Sequence, residues 1–358
     1  MDDSGKISAP GALAQDAVIT ADERVVPDEP LAALAARSGL KLSGARPTLW
    51  TYLSSLWQRR HFIIGYATAR NLSLYTDARL GQLWQVLTPL LNACVYYLIF
   101  GKLFQAARGV EHYPAFLVAG VFVFAFTERS IVTGSNVMRA NLQLIRALYF
   151  PRASLPLAYV IVELQQMLVG MVVLFAIVLA YGEPLTWYWF LLVPAVALAT
   201  LFNTGAALIV ARMGGSVADV SELIPFFLRI TRYFCGVMYM VTTLPGHIPQ
   251  WILQVLSLNP PAVFISLVRV ALMKSYRVNA PGNAPYNAQT CALFHADPGG
   301  KHRSPVTHQL VSNIPWQASC HAVVTNTDLW IAAAAWGVGF FLVGVVFFWQ
   351  AESRYGRG

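Results

Sequence analysis

The sequence predicts an all-α polytopic membrane protein. Of its 358 residues, 56% are hydrophobic and only 12% are charged, and the mean hydropathy is +0.53. Soluble domains carry about a quarter charged residues, so a soluble domain with one anchor is excluded. The apolar residues also form separate runs of about 20 residues, the length with which a helix crosses a bilayer. We therefore expect six transmembrane helices, an N-terminal amphipathic interfacial helix, and a re-entrant outer helical hairpin.

The charge distribution indicates which partners to expect. The formal net charge is +8 at pH 7, and the basic residues flank apolar runs. That placement favours contact with membrane lipids and predicts no nucleic-acid partner. The first segment, residues 1–46, is polar and of mixed charge, without the apolar stretch of a signal peptide. We expect it to be a disordered cytoplasmic tail.

The amphipathic interfacial helix is predicted over residues 47–64. One helical stripe contains Leu49, Trp50, Leu53, Leu56 and Trp57. The polar and basic segment Gln58–His61 follows directly. Tryptophan beside basic residues is typical of a helix in the headgroup plane, and a soluble helix packed on a partner is the alternative.

Six apolar segments are predicted to cross the membrane. In chain order they cover residues 86–104, 115–137, 155–181, 185–211, 222–244 and 329–349. Arg139, Arg146 and Arg152 mark the side between the second and third segments as cytoplasmic. Arg354 and Arg357, after the last segment, place the C-terminus on the same side. We therefore expect a multi-pass protein with both termini in the cytoplasm.

Two short apolar segments before the last span are predicted to form the re-entrant hairpin, residues 248–273. Ile248–Leu258 and Ala262–Met273 are each too short to cross a bilayer. The hinge residues are Pro245, Gly246, Asn259, Pro260 and Pro261. The alternative is a single kinked span, which would put the C-terminus outside. A long extracytoplasmic loop, residues 274–327, follows.

A short basic helix is predicted between the second and third spans. Asn141 can cap its start, and Pro151 disfavours helical geometry at the residue before it, so the helix should end at Phe150. We expect a second protein to dock on this helix, whereas an interfacial turn anchored to lipid head groups is the alternative. The residues assigned to docking are Asn141, Leu142, Ile145, Arg146, Tyr149, Phe150 and Arg152.

Charged residues inside the predicted spans indicate function, because each costs several kcal/mol in the bilayer. They are Glu128, Arg129, Glu163, Arg229 and Arg232. Arg129 and Glu163 lie at similar depth, so we expect one polar layer in the inner half of the bundle. Internal pairing that holds the spans together is one interpretation. The other is that surplus arginine meets an anionic substrate head.

The outer loop and the missing motifs decide what to expect of cofactors. In an oxidising compartment Cys291 and Cys320 would form a disulfide that contributes about 3–4 kcal/mol; two free thiols are the alternative.

The loop histidines match no zinc-ligand spacing. The sequence has no G-x-x-x-x-G-K-[ST], G-x-S-x-G or H-E-x-x-H motif. We expect no catalytic residue, no metal site and no cofactor bound by this chain.

Several short motifs occur together along the chain. They contain Tyr75, Leu80-Gly81, Trp84, Pro89, Phe100-Gly101, Leu117, Ala119-Gly120, Asn141, Leu144-Ile145, Phe150-Pro151-Arg152, Leu155-Pro156, Asn259-Pro260 and Arg269. This combination resembles the ABC-2 permeases of the O-antigen, capsule and teichoic-acid exporter family, from Arg59 to the C-terminus. Residues 65–358 would then be one ABC-2 transmembrane domain. The long tail and the long outer loop depart from the family.

The resemblance implies a homodimer that pairs with two copies of a separate ATPase subunit, which would hold ATP and Mg. The helix Asn141–Phe150 would be the coupling helix, Leu49–His61 the amphipathic helix and Ile248–Met273 the gate. Spans 1 and 5 would line a channel in which aromatic rings stack on sugars. The candidates are Tyr96, Tyr97, Tyr233, Phe234 and Tyr239. Lipid contact or core packing is the alternative for each ring.

The expected function is the permease subunit of an ATP-driven transporter that exports a lipid-linked polysaccharide across the bacterial inner membrane. The chain itself is not expected to be an enzyme. An ABC-2 permease for drugs or small lipids, and a membrane enzyme acting on lipid-linked sugars, are the alternatives. The long tail and the Ala/Val-rich composition resemble actinobacterial members, some of which export lipid-linked galactan.

Overall fold

The computed structural model describes residues 48–74, 79–103, 112–147, 150–239, 241, 249–274, 302–303, 310–311, 324 and 326–351. All of them fall within one structural unit, Pro47–Gly358. The predicted tail lies outside the described residues, and so do both loop cysteines, Cys291 and Cys320. Tyr149 of the docking helix, and Pro245 and Gly246 of the hinge, also lie outside them.

The described chain is almost entirely helical. In chain order the helices are α1 (Leu49–Gln58), α2 (Arg60–Ser73), α3 (Trp84–Tyr96), α4 (Tyr113–Ala140), α5 (Leu142–Ala147), α6 (Ser154–Ala180), α7 (Leu192–Ser216), α8 (Ala218–Phe234), α9 (Gln250–Leu258), α10 (Pro260–Leu272) and α11 (Asn326–Ala351). A π-helix, Tyr97–Leu103, continues α3, and 3-10 turns, Gly81–Leu83 and Trp187–Leu191, precede α3 and α7. Two short antiparallel strands, β1 (His302–Arg303) and β2 (Leu310–Val311), are the exception to the all-α prediction.

The polytopic fold is confirmed. Among the described residues, five helices are long and apolar enough to cross a membrane: Trp84–Leu103, Tyr113–Ala140, Ser154–Ala180, Trp187–Ser216 and Asn326–Ala351. Each begins and ends within a few residues of a predicted span. A sixth segment qualifies by length and composition only if α9 and α10, bent by 75° at their junction, are taken as one.

The predicted fifth span, residues 222–244, is wrong at its outer end. Helix α8 has 17 residues and ends at Phe234, because Gly236 adopts a left-handed backbone (φ 66°) that terminates a helix. It nevertheless runs along most of α4. At the start of α8, Ser221 Oγ donates to the carbonyl of Ser135, near the C-terminal end of α4 (3.2 Å). Just past the end of α8, the carbonyl of Gly236 accepts from Arg269, which also donates to the carbonyl of Phe116 near the N-terminal end of α4.

The contacts of the segment after α8 distinguish a hairpin from a kinked span. At the start of the segment, Tyr113 Oη donates to the Met238 carbonyl (2.6 Å). Near its end, Arg269 Nε donates to the Phe116 carbonyl (3.1 Å). The turn between α9 and α10 lies deeper, where Trp336 Nε1 donates to the Leu258 carbonyl (2.9 Å). Met238 and Arg269 thus both contact the same end of α4, an arrangement that favours the re-entrant prediction over a kinked span.

The N-terminal amphipathic segment differs from its prediction. The helix breaks at Arg59 and continues as α2 to Ser73, beyond the predicted end at residue 64. The predicted apolar stripe is also not buried as a whole: Leu56 is buried, whereas Trp50 and Trp57 are 81% and 71% exposed. The apolar face that packs on the bundle is thus narrower than the sequence pattern, and the indole rings point away from it.

Helix α4 is the centre of the bundle. In its most apolar stretch 72% of the residues are buried, against 17% for Trp84–Leu103 and 22% for α11. It packs against α3, α6, α7, α8 and α10. A second hydrophobic cluster joins α1 and α2 to the C-terminal ends of α4 and α11 and to the start of α6, through Tyr52, Ile63, Met138, Phe150 and Phe348 among others. The long helices thus have a buried centre and a separate hydrophobic base at the end next to α5.

Close backbone approach holds α7 against α11. A Cβ atom added at Gly205 would overlap the backbone of Phe340 and Phe341, and one added at Gly344 would overlap Gly205. Small residues permit such approach between membrane helices, where packing rather than the hydrophobic effect drives association. An arginine also contributes to the contact between α7 and α11. Arg212 of α7 donates to the carbonyl of Phe347 on α11, and its guanidinium lies over the Phe347 ring.

We expect Gly205→Ala to destabilise the protein, because the added methyl group overlaps backbone that cannot move aside. Overpacking of this kind costs about 1–3 kcal/mol. Thermal unfolding of the purified protein in detergent measures the change. Gly339→Ala, on α11 with no atom within 4 Å of the added Cβ, is the matched control and should not lower the melting temperature. Equal melting temperatures for the two variants would contradict the packing argument.

Candidate functional site

The predicted docking helix is present as α5, and it projects from the bundle. None of its residues is buried, and Leu142, Gln143 and Arg146 are exposed. Ile145 is half-buried, on the side toward the base of the helix. The described part of the helix ends at Ala147, and Phe150 beyond it is buried. The exposed apolar and basic side chains leave a surface available to a partner.

Asn141 anchors α5, but not as predicted. Its carbonyl accepts the first helical hydrogen bond, from the Ile145 N–H (3.0 Å), yet its side chain caps no N–H of α5 in the described hydrogen bonds. Instead Asn141 Oδ1 accepts from Tyr66 Oη (3.2 Å), and Nδ2 donates to the Val137 carbonyl (2.8 Å) and to Tyr159 Oη (3.3 Å). The predicted side-chain cap is therefore wrong, because longer-range partners compete for the amide.

Two further contacts fix the base of α5. The Phe150 ring packs on Phe62 of α2 (centroids 6.0 Å apart), and the Ala153 N–H donates to Tyr52 Oη of α1 (3.3 Å). Burial, reinforced by the neighbouring Tyr159, raises the pKa of Tyr66. The Tyr66 hydroxyl, which donates to Asn141, is protonated at neutral pH with or without this shift in its pKa. Both ends of the segment are thus attached to α1 and α2 as well as to the long helices.

A cavity of about 380 Å³, lined by both polar and apolar residues, lies between α3, α4 and α8. Its lining residues include Thr88, Asn92, Tyr96, Glu128, Arg129, Thr133 and Arg232. The structure therefore brings three members of the predicted charge layer together with one predicted channel aromatic. The two remaining charges lie elsewhere: Glu163 is buried on α6, and Arg229 is exposed on α8.

Arg232 joins the three helices around this cavity. It forms an ion pair with Glu128 of α4 and donates through Nη1 to Tyr96 Oη of α3 (2.7 Å). Its guanidinium also lies 5.2 Å from the ring centroid of Phe124. Both charged side chains are mostly buried, 22% and 24% exposed. The pair thus holds α8 and α3 on α4.

Arg129 pairs differently from the sequence-based expectation. Its Nη1 donates to Gln166 Oε1 (2.8 Å), a neutral group on α6. Glu163, expected as its partner from depth, attracts Arg129 electrostatically but forms no ion pair with it in the described part of the chain. Glu163 is 6% exposed, and its Oε2 has no hydrogen-bond partner among the described residues. The carboxylate that does form an ion pair, Glu128, binds Arg232 instead.

A chain of side-chain amides connects Arg129 to α2. Gln166 Nε2 donates to Asn71 Oδ1 (3.4 Å), Asn71 Nδ2 donates to Gln165 Oε1 (3.2 Å), and Gln165 Nε2 donates to Thr68 Oγ1 (3.0 Å). Sequence reasoning missed these residues, since they lie on separate helices and follow no motif. The one available signal was the Gln165-Gln166 pair within an otherwise apolar span.

The five predicted channel aromatics fall into two groups. Tyr96 lines the cavity, and Tyr233 and Phe234 are 51% and 54% exposed on α8. Tyr97 instead packs beside Tyr113 (centroids 6.2 Å apart), and Tyr239 donates to the Tyr233 carbonyl (2.8 Å) and packs on the core. The first group has ring surface facing the cavity or the outside of the protein, whereas the second is packed within the fold.

Helix α10 begins at the hinge residues and carries a buried arginine in its last turn. Asn259 is extended (φ −57°, ψ 134°), and the prolines Pro260 and Pro261 open α10. Arg269, 2% exposed, donates to the carbonyls of Phe116 (3.1 Å), Gly236 (2.8 Å) and Val237 (2.8 Å). A lone arginine in an apolar helix was the signal for such a role.

Comparison with known proteins identifies relatives over most of the bundle. Residues 64–273 match the family described as ABC-2 type transporter. The O-antigen export system permease protein RfbA of Klebsiella pneumoniae is 28% identical over 194 residues, 53% of this chain and 72% of the relative. RfbA of Myxococcus xanthus is 23% identical over 222 residues, 62% of this chain and 81% of the relative. The family match contains α5, the cavity and the outer hairpin.

The junction around Arg232 generates a stability prediction. Arg232→Gln leaves Glu128 without its ion pair in a mostly buried position, which we expect to cost about 1–3 kcal/mol. Arg229→Gln, an exposed arginine one turn earlier on α8, is the matched control and should change stability by less than about 0.5 kcal/mol. Thermal unfolding of both variants measures the difference.

The double variant Glu128→Gln/Arg232→Gln completes a cycle that isolates the pair. Its loss should be smaller than the sum of the two single losses, since neither charge is then left alone. Additive losses would mean that the two residues do not interact.

Proposed function

Since the chain belongs to the ABC-2 type transporter family, we propose that it is the permease subunit of an ATP-driven transporter that exports a lipid-linked polysaccharide. The relatives named as O-antigen export permeases support a glycan of the O-antigen, galactan or teichoic-acid kind. The observation that carries the proposal is the combination of this family match with α5, an exposed helix anchored to the membrane bundle. The chain would act in the bacterial inner membrane with both termini in the cytoplasm.

The energy would come from a separate partner. A permease whose sequence lacks a phosphate-binding loop moves only if another protein binds one of its conformations better than the others. We propose that two copies of an ATPase subunit, which hold ATP and Mg, dock on α5. Asn141 would transmit that movement, because its side chain binds the end of α4 and the tyrosines of α2 and α6.

The transport path would lie between two copies of this chain. Helix α3, the π-helix that continues it, and α8 each present exposed apolar side chains, which include Leu91, Val95, Leu98, Phe226, Phe227 and Tyr233. A second copy packed around this face would enclose Tyr96, Tyr233 and Phe234. Aromatic rings contact sugar faces through apolar surface, without a hydrogen bond that fixes the register, so a chain of sugars can slide past them.

Depletion of the protein in its native cell tests the substrate. We expect a lipid-linked glycan to accumulate on the cytoplasmic side, and a nucleotide-binding subunit to copurify with the tagged permease. Accumulation of no glycan, with a copurified ATPase, would indicate a permease for drugs or small lipids instead. A monomer that is active without any ATPase would overturn the proposal altogether.

Reversal of one charge on α5 tests docking. Arg146→Glu should leave folding intact, because the side chain is exposed. It should weaken docking of the ATPase about tenfold, equivalent to about 1.4 kcal/mol, and uncouple ATP hydrolysis from export. Copurification yield and export in cells measure the two effects.

Arg60→Glu makes the same change on an exposed arginine of α2 and serves as the control, with export expected to persist. Unchanged export in Arg146→Glu would remove the docking role from α5.

A further inference from the structure

The cavity between α3, α4 and α8 carries a surplus positive charge. Two guanidinium groups and one carboxylate line it: Arg129, Arg232 and Glu128. Since Glu128 is committed to the ion pair with Arg232, these two charges cancel. The remaining charge on the cavity wall is that of Arg129.

Arg129 is bound on one side only. Of the five N–H donors of a guanidinium, one is used by Gln166 in the described hydrogen bonds. Glu163 attracts Arg129 but is not part of the cavity lining. Gln166 and Glu163 both belong to α6, which supplies none of the residues that line the cavity. These two groups therefore orient the arginine and leave the cavity side for a ligand.

The chemistry of the lining favours a phosphate-type anion. The planar guanidinium fork matches the oxygens of phosphate and binds them with two parallel hydrogen bonds. Asn92 and Thr88, both on α3, add an amide and a hydroxyl donor to the cavity lining. Low-dielectric surroundings strengthen such contacts relative to water. A volume of about 380 Å³ suits a head group, but not a polymer.

The surroundings of the cavity favour an anion that is attached to a lipid. On α3 the side chains next to Asn92 along the helix, Leu91 and Val95, are 52% and 51% exposed. They form apolar surface beside the cavity. An amphiphile could place its charged group against Arg129 and its chain along α3.

We propose that this cavity binds the phosphate-type head group of the lipid-linked substrate, with Arg129 as the binding cation. The inference rests on the proposed function, and it divides the two arginines of the cavity by role. Arg232 holds the helices together, whereas Arg129 recognises the ligand. Arg129 is assigned to the ligand because Glu128 forms its ion pair with Arg232 instead. The sequence alone does not reveal that ion pair.

Binding of farnesyl diphosphate to the purified permease–ATPase complex, in nanodiscs of neutral lipid, tests the site. We expect saturable binding by the unmodified complex and at least tenfold weaker binding by Arg129→Gln. Arg129→Lys keeps the charge but loses the fork, so its binding should fall by a smaller factor. Arg139→Gln, on the same helix outside the cavity, is the matched control and should bind as the unmodified complex does.

Three further ligands identify the source of the anion. Farnesol and phosphatidylglycerol should bind far more weakly than farnesyl diphosphate, and inorganic pyrophosphate should compete only weakly. Equal binding of inorganic pyrophosphate would assign the cavity to a free anion and overturn the lipid-head proposal. Equal binding of farnesol or phosphatidylglycerol would show that the diphosphate is not recognised and would overturn it as well.

The outcomes separate this inference from the proposed function. If Arg129→Gln and Arg129→Lys bind farnesyl diphosphate as tightly as the unmodified complex, the site is refuted, while glycan accumulation on depletion still supports export. If binding depends on Arg129 but depletion accumulates no glycan, the site stands and the polysaccharide assignment falls. Melting temperatures of the variants show whether each is folded. Should Arg129→Gln fail to fold, the graded loss in Arg129→Lys carries the test.

Discussion

The structure depends on one constraint: the hydrocarbon core of a membrane supplies no water to polar groups. Carbonyls exposed where a helix ends, and charges within a span, must therefore bind other parts of the protein. Arg269 satisfies three carbonyls at the outer end of the bundle, and Arg232 joins α3, α4 and α8 in the middle. Asn141 does the same for α2, α4 and α6 at the inner end. Each polar cluster fixes the geometry of several helices at once.

All three clusters contact α4, the most buried of the long helices. Phe116 lies near its outer end, Glu128 and Arg129 near its middle, and Val137 near its inner end. A force applied to α5 would act directly on the end of α4 through Asn141. The same helix carries one wall of the cavity and binds the arginine of the outer hairpin. Helix α5, the cavity and the hairpin that carries Arg269 therefore all lie along α4.

Much of the fold was predictable, because the positions of apolar runs follow from hydropathy alone. The five long spans and the re-entrant hairpin lie close to where they were expected. The errors occurred where the local backbone conformation ends a helix or where a distant residue binds a side chain. Residues 235–244 continue the apolar run, yet Gly236 ends α8 with a left-handed backbone. Asn141 has the composition of a helix cap, yet tyrosines of α2 and α6 bind its amide.

The sequence by itself determined the class of protein, the positions of five of its long helices, and the residues whose charge demands an explanation inside a membrane. Only the tertiary structure decided which of those charges neutralise one another. Depth along a helix places Arg129 and Glu163 at one level, but pairing also depends on which face each helix turns to its neighbours. That rotation results from packing of whole helices, such as the close contact of Gly205 with α11. Hydropathy carries no information about it.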